Sequence, residues 1–187
     1  LIDATDQQLM EAVRDGDLRK LAVLFERHHR NLFHFFLRIT GQRELSEDLV
    51  QEVFFRILRY RHTFSGQYPF SAWIYQIARN AHMDHLQKRR HEALPEQEPA
   101  SDAPHPDEKF ARKQEAALVR LALERLPEDK REVLVLSRYQ NLKYEEIAQI
   151  LGIEVGAVKV RVYRAVRQLA QIFGELSGGK SYELRRS

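Results

Sequence analysis

Lys159, Arg161, Arg164 and Arg167 fall within nine residues of "VGAVKVRVYRAVRQL" (Val155–Leu169), with Tyr163 among them. Arginine suits bidentate contacts to guanine and to phosphate, and lysine suits phosphate. At ~100° per residue, Val158, Val162, Ala165, Val166 and Leu169 make one apolar stripe. Val160, Tyr163, Arg164 and Arg167 stand opposite, with Lys159 and Arg161 on the flanks. A helix entering a DNA major groove needs such an outer face. A helical hairpin with a solvated basic surface would carry it too.

A second group of residues suits unstacked bases rather than duplex. Tyr60, Phe64, Tyr68, Phe70, Trp73 and Tyr75 crowd sixteen residues, interleaved with arginine and histidine. Aromatic platforms beside positive charge hold bases drawn out of a duplex. Asn80, Asp84 and Lys88 follow in an i, i+4, i+8 line, and "QKRRH" adds charge that neutralises backbone. The competing reading buries these rings in a core, and Trp73 and Ile77 are expected there.

A third group suits a protein partner. In "SEDLVQEVFFRILRY", Leu49, Val50, Val53, Phe54 and Ile57 share one helix face, while Asp48, Gln51, Glu52 and Phe55 share the other. An aromatic among carboxylates and amides is an interface anchor. A stray exposed Phe, or one covered by a neighbouring helix, fits the wheel equally. Eight histidines raise the question of metal, with His82 and His85 at i, i+3 and His28 beside His29. No HExxH, P-loop or glycine-rich phosphate motif accompanies them, so surface histidine is the better reading.

The elements that position these groups read as helices throughout, which predicts an all-α chain. Thr5 and Gln8 have capping-box spacing. "LAVLFERHHRNLFHFFLRI" is apolar around much of its circumference and is expected in the core, with Gly41 ending it. Ser46 is placed to cap the next helix, with Glu47 and Asp48 near its positive end. Pro69 suits the first turn of a further long helix. Four more helices are expected, from about Lys109 to Arg125, from Pro127 to near Asn141, over "YEEIAQIL", and from Val155. In "YEEIAQILGIEVGAVKV", Ile147 and Leu151 share a face and Ala148 is small where a second helix crosses. Gly152 sits at the turn, and Ile153 and Val158 supply the contacts beyond it. These are the requirements of a helix-turn-helix, whose second helix enters the major groove.

"EALPEQEPASDAPHPDE" (Glu92–Glu108) holds four of the six prolines and six acidic residues without lysine or arginine. It cannot bury enough surface to offset the entropy of ordering, so it reads as a linker between two small helical domains. Seven basic residues against two acidic ones from Val155 onward make the C-terminal part the basic end. The chain of 187 residues has no cysteine, which excludes disulfides and thiolate zinc sites. No apolar run approaches the ~20 residues of a membrane span and no signal peptide is visible. Leu1 in place of methionine reads as a trimmed N-terminus.

Taken together, these blocks resemble bacterial sigma factors of the extracytoplasmic-function (ECF) class, group 4 of the sigma-70 family. "GDLRKLAVLFERHHRNLF", "SEDLVQEVFFRIL" and "FSAWIYQIARNAHMDHLQKRR" look like sigma-2, and "LPEDKREVLVLSRYQNLKYEEIAQILGIEVGAVKVRVYRAVRQL" looks like sigma-4. The resemblance implies a sigma-2 domain over 1–91, the acidic linker over 92–108, a sigma-4 domain over 109–175 and a tail over 176–187. It implies that Asp48, Gln51, Glu52 and Phe55 dock on the β′ clamp helices of core RNA polymerase, and that sigma-4 engages the β flap. Tyr60, Phe64, Arg79, Asn80, Asp84, Lys88, Arg89 and Arg90 would recognise and melt the −10 element. Lys159, Val160, Arg161, Tyr163, Arg164 and Arg167 would read the −35 element.

It implies no catalytic residue, cofactor, metal or small-molecule substrate, since the polymerase does the chemistry. An anti-sigma factor, commonly membrane-tethered, would hold this cytoplasmic protein inactive, at times at the inner membrane, without the protein itself inserting there. The sequence departs from the family at Lys143, where a hydroxyl residue commonly caps the helix, a loss of ~1 kcal/mol. It departs also at Glu154, Ala157 and Val160, where hydroxyl residues are frequent, and at Ser46, where alanine is common. A response-regulator type of protein with a similar helix-turn-helix would need a strand-containing receiver domain, and alternating strand patterns are absent here.

Overall fold

The computed structural model describes residues 4–92 and 109–178, all in helices and the turns between them. Of the expected linker only Glu92 falls inside that range, and the tail expected from 176 is described only to 178. Four helices form the first half: α1 (Asp6–Arg14), α2 (Arg19–Thr40), α3 (Arg43–Tyr60), and α4 (Phe70–Glu92), with a 3₁₀ turn over Arg61–Thr63 before the last. The second half holds α5 (Lys109–Glu124), α6 (Glu128–Leu134) running into a π-type segment over Val135–Tyr139, α7 (Tyr144–Leu151) and α8 (Val155–Leu176).

Helix ends follow local chemistry. Thr5 accepts from the Gln8 N–H, and the Gln8 side chain accepts from the Thr5 N–H, completing the expected capping box. Gly41 closes α2 in the left-handed region at φ 70°. Ser46 is not the cap of α3. The helix already begins at Arg43 with Gln42 before it, and Ser46 is buried inside the first turn, its hydroxyl donating to the Gln42 carbonyl at 2.5 Å. Thr40 and Ser46 together satisfy the polar groups at this corner, so the hydroxyl serves the joint rather than the helix end.

Nor is α2 apolar all round. Leu24, Leu32, Phe35, Phe36 and Ile39 are buried, whereas Val23, opposite them, and Phe25, nearer the open end of the same stripe, are exposed. Glu26 and Arg30 share the side opposite the buried stripe, so the helix presents a charged face to solvent. In α3 the buried set is Leu49, Val50, Val53, Phe54 and Ile57, as its wheel requires, joined by Ser46. Phe64 and Phe70 close the core beneath the loop, against Trp73.

The two halves share one continuous core, and one line of contact between them runs along a face of α4. Ser71 donates to Glu146, and Tyr75 donates to Gln140. Arg79 lies 3.0 Å from Glu132, and His82 lies 3.8 Å from Glu128. A second line of contact runs from α2, where Arg38 covers the Tyr139 ring at 4.2 Å. The Ile39 carbonyl accepts from Arg131 at 2.8 Å.

His82 is buried at this seam, and burial pushes its imidazole down to about 4, with His85 and Arg131 adding repulsion. Glu128 is too distant for a hydrogen bond that would hold the proton. The unfolded chain takes up that proton near 6.5 and the folded chain only near 4. Stability is therefore full above 6.5 and falls as pH drops through that window, at up to ~1.4 kcal/mol per pH unit for this group. Urea unfolding should show a lower midpoint at pH 5 than at pH 7.5, and His82→Gln should flatten the difference between the two.

Candidate nucleic-acid interface

The helix-turn-helix is built from α7, Gly152 and α8. Ile147, Ala148 and Ile150 are buried in α7 and Leu151 is half-buried. Gly152 takes φ 64°, and the Ile153 N–H reaches back to the Ala148 carbonyl at 3.0 Å. This six-to-one bond turns the chain sharply and sets the angle at which α8 leaves. At the other end of α7 the Lys143 N–H donates to Glu146 at 2.8 Å, the half of a capping box that needs no hydroxyl. Lysine has no acceptor to return the bond, so the expected loss at this position is only partly offset.

On α8, Val158, Val162 and Ala165 are buried while Val166 and Leu169 pack against the core edge. All six residues expected to read duplex DNA lie outward. Val160 and Tyr163 are exposed, and so are Lys159, Arg161, Arg164 and Arg167. Arg167 lies 5.8 Å from the Tyr163 ring centroid, which orders the guanidinium along the outer face. The face is cationic and free of carboxylates in its own helix from Val155 to Gly174. It can approach phosphates and base edges in a groove without desolvating a like charge.

The α4 region is more mixed. Phe64 was expected to stack on bases. It is instead a core residue, 2% exposed, and its ring packs edge-on against Phe70 and Trp73. Phe70 and Tyr75 are buried as well, so of the six crowded aromatics only Tyr60 and Tyr68 are exposed. Asn80, Asp84, Lys88 and Arg90 are exposed and Arg89 is half-buried. Asp84 accepts from Arg56 at 2.7 Å, and Arg79 is turned toward Glu132. Sequence spacing could not show either pairing, since both cross between helices.

On α3, Asp48, Gln51 and Phe55 are exposed, and Phe55 is 58% so. Glu52 is half-buried and bound at 2.6 Å by Arg56, the residue that also holds Asp84. Beside this face lies a groove of about 600 Å³ between α2 and α3, lined by Phe25, His29, Arg30, Phe33, Arg43 and Gln51 among others. Phe25 stacks on His29 and meets Phe54 edge-on. The expectation of a core position for α2 gave no sign of this groove. The signal available was the charged side of its wheel. No group of three or more metal-ligating side chains occurs among the described residues.

Two family models match the chain, sigma-70 region 2 over residues 24–92 and sigma-70, region 4 over residues 116–169. The RNA polymerase sigma factor CarQ of Myxococcus xanthus is 34% identical over 89% of this chain and 97% of its own length. The ECF RNA polymerase sigma factor SigM of Mycobacterium tuberculosis is 33% identical over 95% of this chain and 89% of its own. Among solved structures, CnrH in complex with the cytosolic domain of CnrY matches with a TM-score of 0.70 and 27% identity. That match covers 91% of this chain and 97% of that one.

Gly152→Ala should destabilise the chain by about 1–2 kcal/mol. The left-handed backbone penalises a Cβ there although no neighbouring atom lies within 4 Å. Chemical denaturation of the two proteins measures the cost, and a change below about 0.5 kcal/mol would mean that the turn relaxes.

Proposed function

Because the chain belongs to the extracytoplasmic-function class of the sigma-70 family, and so acts as an alternative sigma factor that directs transcription, we propose how its faces divide that work. The second half (109–175) reads the −35 element as duplex through α8. The first half (1–91) docks on core polymerase through α3 and handles the −10 element through α4. The stretch 92–108 connects the two domains. The observation that carries this reading is the outward cationic face of α8 set opposite its buried stripe, in a helix-turn-helix closed by Gly152. Arginine and lysine there supply backbone affinity, and Arg161, Arg164 and Arg167 can reach base edges.

The α3 face supports polymerase docking for a different reason. Phe55 projects from between Gln51, Glu52 and Asp48, an apolar anchor ringed by acceptors that a basic partner helix would satisfy. We assign the partner surface to the β′ clamp helices, and the flap of β to the second half. The −10 contacts fall to Tyr60, Asn80, Asp84, Lys88, Arg89 and Arg90, with Arg79 once it is released from Glu132. Phe64 is withdrawn from this set because its ring is already used by the core. Relatives are transcription initiation factors, so bond-making and bond-breaking are left to the polymerase. No described helix is long and apolar enough to cross a membrane. We place the protein in the bacterial cytoplasm, restrained by an anti-sigma factor that is itself membrane-tethered. The solved complex of CnrH with a cytosolic domain supports a partner of that kind.

Arg161→Ala or Arg164→Ala should lower −35-dependent transcription several-fold, in line with ~1–3 kcal/mol per base contact. Pull-down of core polymerase should be unchanged, and its parallel loss would overturn the division of labour. Phe55→Asp should show the reverse, a core affinity at least ten-fold weaker in a protein with unchanged helicity, as expected for an anchor costing ~2 kcal/mol or more. Unaltered binding to core would remove α3 as the docking face.

A further inference from the structure

The outward face of α8 carries two exposed apolar or aromatic side chains among its cations. Val160 is 47% exposed and Tyr163 is 62% exposed, three residues further along the helix. At ~100° per residue, Val160 lies about 160° from each of Val158 and Val162. Those two are buried, so Val160 points most directly away from the protein. Arg164 lies about 40° to one side of it and Arg167 about 20° to the other, while Lys159 and Arg161 take the flanks at about 100°. An apolar group thus holds the middle of a face whose charge suits only a polyanion.

Gly156 stands about 40° from the same line, one turn nearer the start of the helix. Its backbone is outside the left-handed region, and a Cβ there would meet nothing within 4 Å. Neither the turn nor the packing therefore requires glycine, which is unfavourable within a helix. What glycine supplies is a bare turn of backbone along which another surface can come close. Gly156 and Val160 both belong to the first two turns of α8. In a helix-turn-helix, the N-terminal part of the second helix is what reaches base edges.

Those edges are almost wholly polar in the major groove. Guanine shows N7 and O6, adenine N7 and its amino group, cytosine its amino group, and thymine O4 beside a C5 methyl. That methyl is the one apolar group in the pattern. Valine has no donor or acceptor, so a polar edge pressed against it would lose water without gaining a bond. A methyl pressed against it gains by leaving water. We propose that Val160 is a specificity-determining residue that selects thymine in the −35 duplex through its C5 methyl, with Gly156 permitting the approach. The proposal rests on the assignment of α8 to the −35 element made above. A serine in place of Val160 could donate or accept, and so serve any base edge.

The test uses holoenzyme reconstituted from the full chain and core polymerase. Selection from a promoter library randomised across the −35 and −10 segments gives the preferred duplex. Each −35 thymine is then replaced singly by deoxyuridine, which lacks only the methyl. One replacement should weaken holoenzyme binding about three- to five-fold, the effect of losing one buried methyl. Val160→Ala should bring the thymine-to-deoxyuridine ratio at that position close to one, and Val160→Ser should also broaden the bases accepted there. Each ratio compares two DNAs with one protein, so any change in the folded fraction cancels. A −35 element without thymine, deoxyuridine tolerated at every position, or a penalty undiminished in Val160→Ala would overturn the selection of thymine while leaving α8 as the reader. A library that yields no −35 preference would remove α8 as the reader, and the proposal with it.

Discussion

Every helix of this molecule must hide an apolar stripe and still keep its recognition side chains in water. A helix whose partners all lie on one side satisfies both demands, and α8, covered along one side by α5, α6 and α7, meets them simply. Its Val158–Val162–Ala165 stripe is covered, and the remaining circumference is left to cations. Helix α4 is harder to place. It is covered by α3 on one side and by the second half on another, so little of its circumference is uncommitted. What it can offer a ligand is set by how those two coverings share it.

The division between what could be read from sequence and what could not follows this distinction. Wherever a helix buries one stripe, spacing alone placed it correctly, as in the sides of α3 and α8. Gly41 and Gly152 marked their turns because only a residue without Cβ enters the left-handed region freely. The reading failed where burial depends on partners remote in sequence. Phe64 looks like a base-stacking residue until Phe70 and Trp73 close on it. Ser46 looks like a cap until the corner formed by Thr40 and Gln42 claims its hydroxyl. The exposed face of α8 was legible, whereas the candidates on α4 were legible by type but not by availability. Which ones the rest of the chain had already engaged is a property of tertiary contacts.

The seam between the halves carries a line of polar and charged contacts beside the apolar core that the halves share. Tyr75 is buried deeply enough that its phenol is pushed upward, and its hydroxyl still finds Gln140. Arg131 is lowered by the same desolvation, and although two of its nitrogens are bonded to carbonyls, the third is not. An apolar seam of equal extent would be stronger and less selective. Polar seams of this type fix one register, because a shifted pairing leaves several groups buried and unpaired. The π-type segment contributes here. Its i to i+5 bonding, seen in the Gln140 N–H to Val135 carbonyl bond at 3.1 Å, carries the chain round to Asn141 at φ 53° and places Gln140 over α4.

Arg56 binds Glu52 on α3 and Asp84 on α4 with one guanidinium. The two carboxylates belong to surfaces proposed here for different macromolecules, yet neither can be exchanged without disturbing the charge balance of the other. Over generations such a bridge restricts drift. On those assignments, a lineage that altered position 84 to suit a new promoter would leave Arg56 half-paired and would favour compensation at position 52, on the proposed polymerase surface. Promoter preference and polymerase fit would then be inherited together rather than tuned apart.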